Sequence, residues 1–308
     1  MQVTPILELF RYNENSIFIK RDDLIPFSFG GNKARKAKLF FDDLINNKYD
    51  CIVTYGSSSS NHCRIIANMA SCNNLPCYII TPSENIKETS NRRMIKLFGA
   101  KFVECELSSI KNTIDSLLER LKIDGKKPYF IQGGGHGNIG TQAYVDAFNE
   151  IIEFEKDNGI KFDYIFHASG TGTTQAGLVC GNLITKSNKK IVGISIARKN
   201  PYGKNIVYES VKSYLYKEGI EKINIENIDF IDDYIVDGYG HYNYEIIKTV
   251  KEVLIENGIP LDVTYTGKAF WGMKEYIKEN KISNKNILFI HTGGTPLFLD
   301  DLSKIGDI

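Results

Sequence analysis

Lys33 is the residue whose type and position most directly suggest chemistry. It belongs to the stretch GGNKARK at residues 30–36. If this stretch opens a helix, Lys33 lies at the centre of an apolar stripe formed by Ala37, Phe40 and Leu44. The amine then either reaches out past the helix end or stays buried with a lowered pKa, as in lysines that form Schiff bases. Helical phase alone favours the first alternative.

The other cations of this stretch are expected to have different surroundings. Arg35 and Lys38 fall on the opposite, polar face of the predicted helix, where we expect them to be solvated. Lys36 falls at the edge of the apolar stripe. Asn32 is a candidate N-cap, and the glycines at 30–31 would let another group approach closely.

Composition excludes several classes of function. The chain has 308 residues, is 42% hydrophobic and carries a formal net charge of +1, so no overall field attracts nucleic acid or membrane surfaces. Neither a secretory leader pattern nor a transmembrane stretch is visible. The six cysteines form no C-x-x-C pair and lack metal-ligand spacing. We therefore expect a cytoplasmic protein with reduced thiols, no metal, and no nucleic-acid or membrane partner.

Apolar strand-like runs alternate with helix-period runs along the chain, which predicts parallel βαβ units. The predicted strands are 51–55, 76–81, 101–105 and 128–132, then 163–169, 190–197, 234–238 and 287–292. We interpret them as two open parallel-sheet α/β domains. The small domain is expected at 46–155, and the large domain at 1–45 and 156–308.

Loops rich in small residues follow several of these strands. They are GSSSSNH, GGGHGNIG, SGTGTT and HTGGT. Ligands of open α/β sheets collect at the carboxyl ends of strands, so we expect these loops to share a ligand crevice. In SGTGTT a strand precedes and a helix follows, which suits a phosphate about as well as it suits a capped turn. The phosphate-binding residues would be Gly170, Thr171, Gly172, Thr173 and Thr174.

The same loop argues against a nucleotide. No lysine follows its glycines, as a P-loop requires, and Gln175 stands where a dinucleotide-binding turn has its last glycine. A small phosphorylated cofactor becomes the better interpretation. A reactive lysine combined with a small phosphate site suggests pyridoxal 5′-phosphate.

A family resemblance extends over nearly the whole chain, in order. The segments KRDDLIPFSFGGNKARK, GSSSSNHCR, GGHGNIGTQAY, HASGTGTTQAG, LDVTYTGKAF and FIHTGGTPLF resemble those of the D-cysteine desulfhydrase and 1-aminocyclopropane-1-carboxylate deaminase family. These are pyridoxal-phosphate-dependent enzymes of the tryptophan-synthase-β-like fold, fold type II. The resemblance implies that the cofactor lies in the crevice between the two domains, and it implies a homodimer.

The resemblance also implies roles for particular residues. Lys33 would form the Schiff base and move protons at the substrate α-carbon, and Asn61 would hydrogen-bond the cofactor's 3′-oxygen. Ser60, Asn61 and His62 would line the site of the substrate carboxylate, and Ser60 could assist proton transfer. Tyr239 and Tyr265 would face the substrate, where a phenol can act as acid or base; each could instead be a packed tyrosine with a satisfied hydroxyl.

Two departures from the family pattern bear on the reaction. Ring-opening deaminases resemble Y-E-G-K, but Thr266 replaces that glutamate here, and Thr292 is a second neutral candidate to meet the pyridine nitrogen. Ser59 stands where the family usually has glutamine. A hydroxyl cannot hold the nitrogen protonated as a carboxylate can, which favours β-elimination over ring opening.

The expected reaction is α,β-elimination of a small, cysteine-like amino acid to a 2-oxo acid, ammonia and sulfide. Alternatives with the same cofactor are 1-aminocyclopropane-1-carboxylate deaminase-like activity, cysteate lyase-like activity, and cysteine-synthase-like β-replacement. A catalytically idle amino-acid-binding relative and a nucleotide-sugar or NAD enzyme are alternatives from other classes.

Overall fold

The computed structural model describes residues 3–84, 86–220 and 223–306. The chain divides into two compact units. The smaller unit is Lys33–Gly140, and the larger unit combines Met1–Asn32 with Thr141–Ile308. Each boundary lies one helix earlier in the chain than the expected boundaries at 46 and 155.

Strands and helices alternate as the sequence pattern predicts. The strands are β1 (Ile6–Tyr12), β2 (Asn15–Lys20), β3 (Cys51–Tyr55), β4 (Cys77–Pro82), β5 (Lys101–Cys105), β6 (Pro128–Ile131), β7 (Tyr164–Ser169), β8 (Lys190–Ser195), β9 (Asp229–Ile231) and β10 (Asn286–Ile290). The α-helices are α1 (Asn32–Asn46), α2 (Asn61–Cys72), α3 (Ser90–Leu97), α4 (Ile110–Ile123), α5 (Asn138–Asn158), α6 (Thr173–Thr185), α7 (Tyr202–Lys217), α8 (Tyr244–Asn257), α9 (Thr266–Glu279), α10 (Thr295–Asp300) and α11 (Leu302–Gly306).

The larger unit is built on a six-stranded sheet in the order β1-β2-β10-β7-β8-β9. All neighbouring strands are parallel except β1, which runs antiparallel to β2 at the edge. The central strands β7, β8 and β10 are buried along almost their whole length, because helices cover both faces of a parallel sheet. In register, Ile290 of β10 lies beside His167 of β7, so the loops after these two strands leave the same edge of the sheet.

The smaller unit is built on a four-stranded parallel sheet in the order β5-β4-β3-β6. One of its two central strands, β3, is buried over its first four residues, whereas the edge strand β5 has only exposed and half-buried residues. A core of Cys51, Val53, Ile80, Leu117 and Leu121 lies between this sheet and α4.

Packing at glycines explains why α5 belongs with the larger unit. A Cβ added at Gly177 of α6 would lie 2.4 Å from Tyr144 Cβ, and one at Gly181 would lie 2.6 Å from Phe148 Cβ. Helices α5 and α6 therefore pack with their backbones unusually close. A sequence-based boundary after this long helix separated two elements that the glycines hold together.

The predicted strand at 234–238 is wrong. Residues 234–238 form an irregular loop, and the strand that pairs with β8 is β9, a few residues earlier. Val236 has φ +57° and Gly238 has φ +110°, which extended backbone cannot contain. The carbonyls of Ile235 and Gly238 accept hydrogen bonds from the buried amine of Lys268, so a side chain takes the place of a neighbouring strand.

The expected exposure of Arg35 is also wrong. Lys38 is exposed and pairs with Asp42, as predicted, but Arg35 is only 1% exposed. Helical phase identifies the most apolar face of a helix and does not report how many faces are covered. The buried residues of α1 are Ala34, Arg35, Lys36, Ala37, Phe40, Phe41 and Leu44, so its first two turns are enclosed on more than the apolar stripe.

Within the described residues, no helix is both long and apolar enough to span a bilayer.

Candidate active site

Lys33 is the second residue of α1 and is half-buried. Its Nζ donates one hydrogen bond, to the carbonyl of Gly134 at 3.1 Å. No carboxylate of the described residues pairs with this amine. Removal from water without a compensating charge lowers the pKa of Lys33 to about 8. The amine thus becomes a nucleophile close to neutral pH.

A second buried lysine lies one turn along the same helix. Lys36 is 1% exposed, and its side-chain methylenes pack on Gly135, where an added Cβ would lie 3.2 Å from Lys36 Cδ. Burial lowers the pKa of Lys36 well below its usual value, and the nearby charge of Lys33 lowers it further. The start of α1 therefore disfavours positive charge at two neighbouring amines.

The loop after β3 leads directly into α2. Ser60 caps this helix, and its hydroxyl accepts a hydrogen bond from Cys63 N at 3.2 Å. The side chain of Asn61 is half-buried at the first turn, and its Oδ1 accepts a hydrogen bond from Asn91 Nδ2 at 2.9 Å. The amide hydrogens of Asn61 are consequently not used in that contact.

His62 is buried behind this loop rather than open to it. Its Nε2 lies 2.9 Å from Thr54 Oγ1, and that hydroxyl donates its hydrogen to the carbonyl of Ile131 at 2.8 Å. His62 Nε2 must therefore be the donor, which fixes the neutral tautomer. Burial lowers the pKa of His62 well below its usual value, and the charges of Lys33 and Lys36 lower it further. The ring connects α2 to the sheet as an uncharged group.

The small-residue loop after β7 is a helix start without a side-chain cap. Gly172 occupies the N-cap position of α6 with φ +90°, and no described side chain caps the helix there. Thr173 and Thr174 are buried in the first turn, and Asn32 Nδ2 donates to Thr174 Oγ1 at 3.1 Å. A helix start of this kind offers N–H groups and the positive end of the helix dipole to an anion.

Gln175, which breaks the dinucleotide pattern, has a structural role. Its Oε1 accepts from Ser169 Oγ at 2.9 Å, and its Nε2 donates to the carbonyl of Asp229 at 2.8 Å. It packs on Gly193 of β8, where an added Cβ would lie 2.1 Å from Gln175 Oε1. The side chain fills the space between helix and sheet and connects three strands.

The structure brings the two predicted tyrosines together. The hydroxyls of Tyr239 and Tyr265 lie 2.5 Å apart, and their rings meet edge to face with centroids 5.8 Å apart. Tyr239 is 43% exposed. The loop that carries Tyr239 is held by hydrogen bonds from Lys268, a residue that was not predicted from the sequence as part of the site. Lys268 Nζ donates to the carbonyls of Gly238 at 2.8 Å and Ile235 at 2.9 Å.

The two threonines predicted near the pyridine nitrogen differ in what they contact. The Thr266 hydroxyl donates to Asp262 Oδ2 at 2.8 Å and accepts from Asp262 N at 3.0 Å. The Thr292 hydroxyl makes no hydrogen bond within the described residues. Burial raises the pKa of Asp262 to about 6 in spite of the N–H groups of residues 264–266 that hydrogen-bond it. Asp262 was missed because one aspartate at a helix start is an ordinary sequence feature.

The loop that carries Thr292 is tightly held. His291 Nε2 donates to the carbonyl of Pro260 at 2.8 Å, and Gly293 N donates to His291 Nδ1 at 3.2 Å. Gly31 has φ +92°, and an added Cβ there would lie 2.5 Å from Thr292 O. The glycines before α1 are therefore required by the close approach of this loop.

Comparison with known proteins identifies the class to which these features belong. A family model described as pyridoxal-phosphate dependent enzyme matches residues 1–293. The chain belongs to the family of pyridoxal-phosphate-dependent enzymes.

Two relatives are similar to this chain over most of its length. The chain is 33% identical over 301 residues to a Pyrococcus abyssi protein that carries the provisional name 1-aminocyclopropane-1-carboxylate deaminase, covering 95% of this chain and 89% of the relative. It is 32% identical over 304 residues to the D-cysteine desulfhydrase of Serratia proteamaculans, covering 95% of this chain and 92% of the relative.

Solved structures agree with this assignment. The crystal structure of an ACC deaminase homologue matches with a TM-score of 0.90 and 29% identity, over 100% of this chain and 94% of that one. O-acetylserine sulfhydrylase isoform 3 of Entamoeba histolytica matches with a TM-score of 0.69 and 21% identity, over 98% of this chain and 89% of that one, and shares the fold alone. The predicted family, the two parallel-sheet α/β units and the cofactor are confirmed.

The residues of each unit suit pyridoxal phosphate. Its aldehyde needs an uncharged amine, and Lys33 has the lowered pKa that provides one. Its phosphate needs donors, and α6 begins without a side-chain cap among the described residues. Its pyridine nitrogen needs a polar neighbour, and Thr292 has a hydroxyl that no described residue occupies. The donor set therefore fits the cofactor.

Proposed function

We propose that this chain is a pyridoxal-phosphate-dependent lyase that eliminates the β-substituent of a small, cysteine-like amino acid. With cysteine, one molecule of substrate and one of water give pyruvate, ammonia and hydrogen sulfide. The Cβ–S bond and the C–N bond break, the α-proton is lost, and no oxidant is consumed. The cofactor supplies an electron sink for the negative charge that develops at the α-carbon.

The observation that carries this proposal is that the two side chains predicted to meet the pyridine nitrogen, Thr266 and Thr292, carry hydroxyls and no charge. Thr266 stands at the position of the glutamate in ring-opening relatives, and its hydroxyl is already engaged with Asp262. Thr292, whose hydroxyl is available, is the remaining neutral partner. A hydroxyl leaves the nitrogen unprotonated near neutral pH, which weakens the electron sink. Elimination of a good leaving group demands less of that sink than opening a carbon ring does.

The proposed cofactor contacts follow from the donors described above. Lys33 attaches the cofactor covalently. Gly170, Thr171, Gly172, Thr173 and Thr174 hold its phosphate at the start of α6. Asn61 donates to the 3′-oxygen through its amide hydrogens, because its Oδ1 is already bonded to Asn91.

The proposed substrate contacts lie at the start of α2 and on the tyrosine pair. Ser60 and Asn61 receive the substrate carboxylate. His62 is neutral and donates to Thr54, so its part is to position this loop rather than to add charge. Tyr239 and Tyr265, which share a hydrogen bond, face the side chain that leaves.

Proton movement is assigned to the amine of Lys33 and to two hydroxyls that can relay or donate a proton. Lys33 would remove the α-proton as a neutral amine, and its pKa of about 8 suits that task. Ser60 can relay the same proton. The hydroxyl of Tyr265 delivers a proton to the departing sulfur, with Tyr239 as its hydrogen-bond partner.

A product assay tests the proposal. Purified protein loaded with pyridoxal phosphate is given D-cysteine, L-cysteine, 1-aminocyclopropane-1-carboxylate, cysteate and O-acetylserine with sulfide in separate reactions. We expect a 2-oxo acid and sulfide in equal amounts from a cysteine, and no product with Lys33→Ala protein. 2-Oxobutyrate from the cyclopropane substrate would support deaminase-like ring opening, sulfite from cysteate a cysteate lyase, and net cysteine synthesis a β-replacement enzyme.

We also propose a homodimer in the cytoplasm. The described cysteines are free, and all but Cys72 and Cys105 are buried, which suits a reducing compartment. Light scattering on a sizing column tests the dimer: a mass near that of one chain would contradict it.

A further inference from the structure

Asn91 is a fully buried amide in the smaller unit and was not among the residues predicted from the sequence. It lies in the first turn of α3, and its side chain reaches the loop before α2. Asn91 Nδ2 donates to the carbonyl of Ser59 at 2.8 Å and to Asn61 Oδ1 at 2.9 Å. One hydrogen of this NH₂ group is thereby used on the loop before α2 and the other on the first residue of that helix.

The backbone carbonyl of Ser59 determines the orientation of the whole chain of contacts. A carbonyl can only accept, so the atom of Asn91 that faces it must be the nitrogen. The second hydrogen of that nitrogen then requires an acceptor at Asn61, which must be Oδ1. The NH₂ group of Asn61 is consequently directed away from Asn91, with both of its hydrogens available.

The opposite orientation of Asn61 is disfavoured. If the Asn61 amide were rotated by half a turn, two NH₂ groups would face each other and one hydrogen bond would be lost inside the protein. A net intramolecular hydrogen bond shifts such an equilibrium by about tenfold. The Oδ1 of Asn91 has no hydrogen-bond partner among the described residues, so the side chain acts here only as a donor.

We propose that Asn91 is a positioning residue that presents the Asn61 NH₂ group as a donor to the 3′-oxygen of pyridoxal phosphate. This inference rests on the proposed function, in which Asn61 contacts that oxygen. Asn91 does not touch the cofactor. It selects which end of the Asn61 amide does so, and an acceptor presented in its place would repel an anionic 3′-oxygen.

Asn91→Asp is the substitution that separates these roles, because it keeps the shape of the side chain and removes both donors. The Asn61 amide then loses the reason for its orientation. We expect the dissociation constant for pyridoxal phosphate to rise by about fivefold to tenfold. A donor to the 3′-oxygen favours its anionic form, so its loss should raise the pH midpoint of the bound cofactor's absorbance band by roughly half a unit.

A double-mutant cycle distinguishes positioning from a general effect on folding. Asn61→Ala, Asn91→Asp and the double variant are compared with the unchanged protein. If Asn91 acts through Asn61, the aspartate substitution has no further effect on affinity or on the pH midpoint once Asn61 is alanine. Asn112→Asp, at an exposed asparagine on α4 of the same unit, controls for the added charge and should change neither quantity.

The outcomes are distinct. Equal losses from Asn91→Asp with and without Asn61, or an unchanged pH midpoint, would overturn the positioning role, even if thermal melting shows a folded variant. If the unchanged protein takes up no pyridoxal phosphate, the proposed function itself fails and this inference fails with it. If the unchanged protein binds pyridoxal phosphate normally but the effects of Asn61→Ala and Asn91→Asp are additive, only the positioning role of Asn91 is overturned.

Discussion

Two lysines, one in each unit, have nearly the same lowered pKa because both are removed from water. Their amines differ in the number of hydrogen bonds that they donate. Desolvation lowers the pKa of Lys33 and of Lys268 to about 8 in both cases. Lys33 Nζ makes one hydrogen bond, to Gly134 O. Lys268 Nζ donates to three carbonyls, those of Ile196, Ile235 and Gly238.

A lowered pKa by itself therefore does not identify a reactive amine. An ammonium group has three donors, and Lys268 uses all of them, two on the irregular loop at 234–238 and one on the carbonyl of Ile196 just after β8. Lys33 retains two and has no carboxylate partner among the described residues. Unused capacity for hydrogen bonds, rather than the pKa, separates the amine suited to covalent chemistry from the structural one.

The largest expected effect is on the Lys33 side of the comparison. Lys33→Ala removes the amine that attaches the cofactor and moves the α-proton, so we expect turnover to fall at least about a thousandfold. Thermal stability should not fall, because a desolvated and uncompensated amine is lost. Lys38→Ala, on the exposed face of the same helix, is the control and should keep full turnover. Substantial turnover by Lys33→Ala protein would contradict the assignment of Lys33 as the amine that attaches the cofactor.

Lys268→Met should lower the stability of the protein without preventing attachment of the cofactor. The methionine fills the same volume but leaves three carbonyls without their donor, so we expect the free energy of unfolding to fall by about 3 kcal/mol. Covalent attachment of the cofactor should persist. Lys274→Met is the matched control on the same helix: its partly exposed ion pair with Glu252 is worth less than about 1 kcal/mol. Chemical denaturation checks both values.

The pH dependence of cofactor capture distinguishes a buried Lys33 amine from a solvated one. Only the neutral amine attacks an aldehyde, and the pKa of Lys33 lies at about 8 rather than its usual 10.5. The rate of covalent capture by cofactor-free protein should therefore rise about tenfold per pH unit up to about pH 8 and then level off. Stopped-flow absorbance measures this rate. A rise that continued to pH 10 would show a solvated amine.

The smallest expected effect concerns the loop that Lys268 holds. Tyr239→Phe removes the hydroxyl that contacts Tyr265 and should lower kcat by about threefold to tenfold with little change in KM. Tyr265→Phe, which removes the proposed acid itself, should lower kcat by more. Equal effects of both substitutions on KM alone would assign the pair to substrate binding instead of proton transfer.

Much of the fold was predictable because parallel strands leave long apolar runs in the sequence. The strand at 234–238 was mispredicted because its apolar residues are buried in an irregular loop. Nothing within the segment YIVDG indicates that Lys268, some thirty residues later, donates hydrogen bonds to two of its carbonyls. Hydrophobicity reports burial, and it does not report which group satisfies the backbone.

For the candidate site, the sequence could propose a residue where one residue type carries the chemistry, and could do so less well where contacts between residues decide. Lys33 stood out because a charged residue on an apolar stripe is unusual. Arg35 was misplaced because helical phase cannot count covered faces. Asn91 and Asp262 were missed because each is an ordinary polar residue until its neighbours are known. Choosing between Thr266 and Thr292 likewise required the hydrogen bonds of Asp262.

The most direct test of the central claim is to locate the covalent attachment. The protein is incubated with pyridoxal phosphate, reduced with borohydride, digested and sequenced by mass spectrometry. We predict a pyridoxyl group on Lys33 alone, lost in Lys33→Ala protein and retained in Lys268→Met protein. Attachment at Lys36, at Lys268 or at scattered surface lysines would contradict the account.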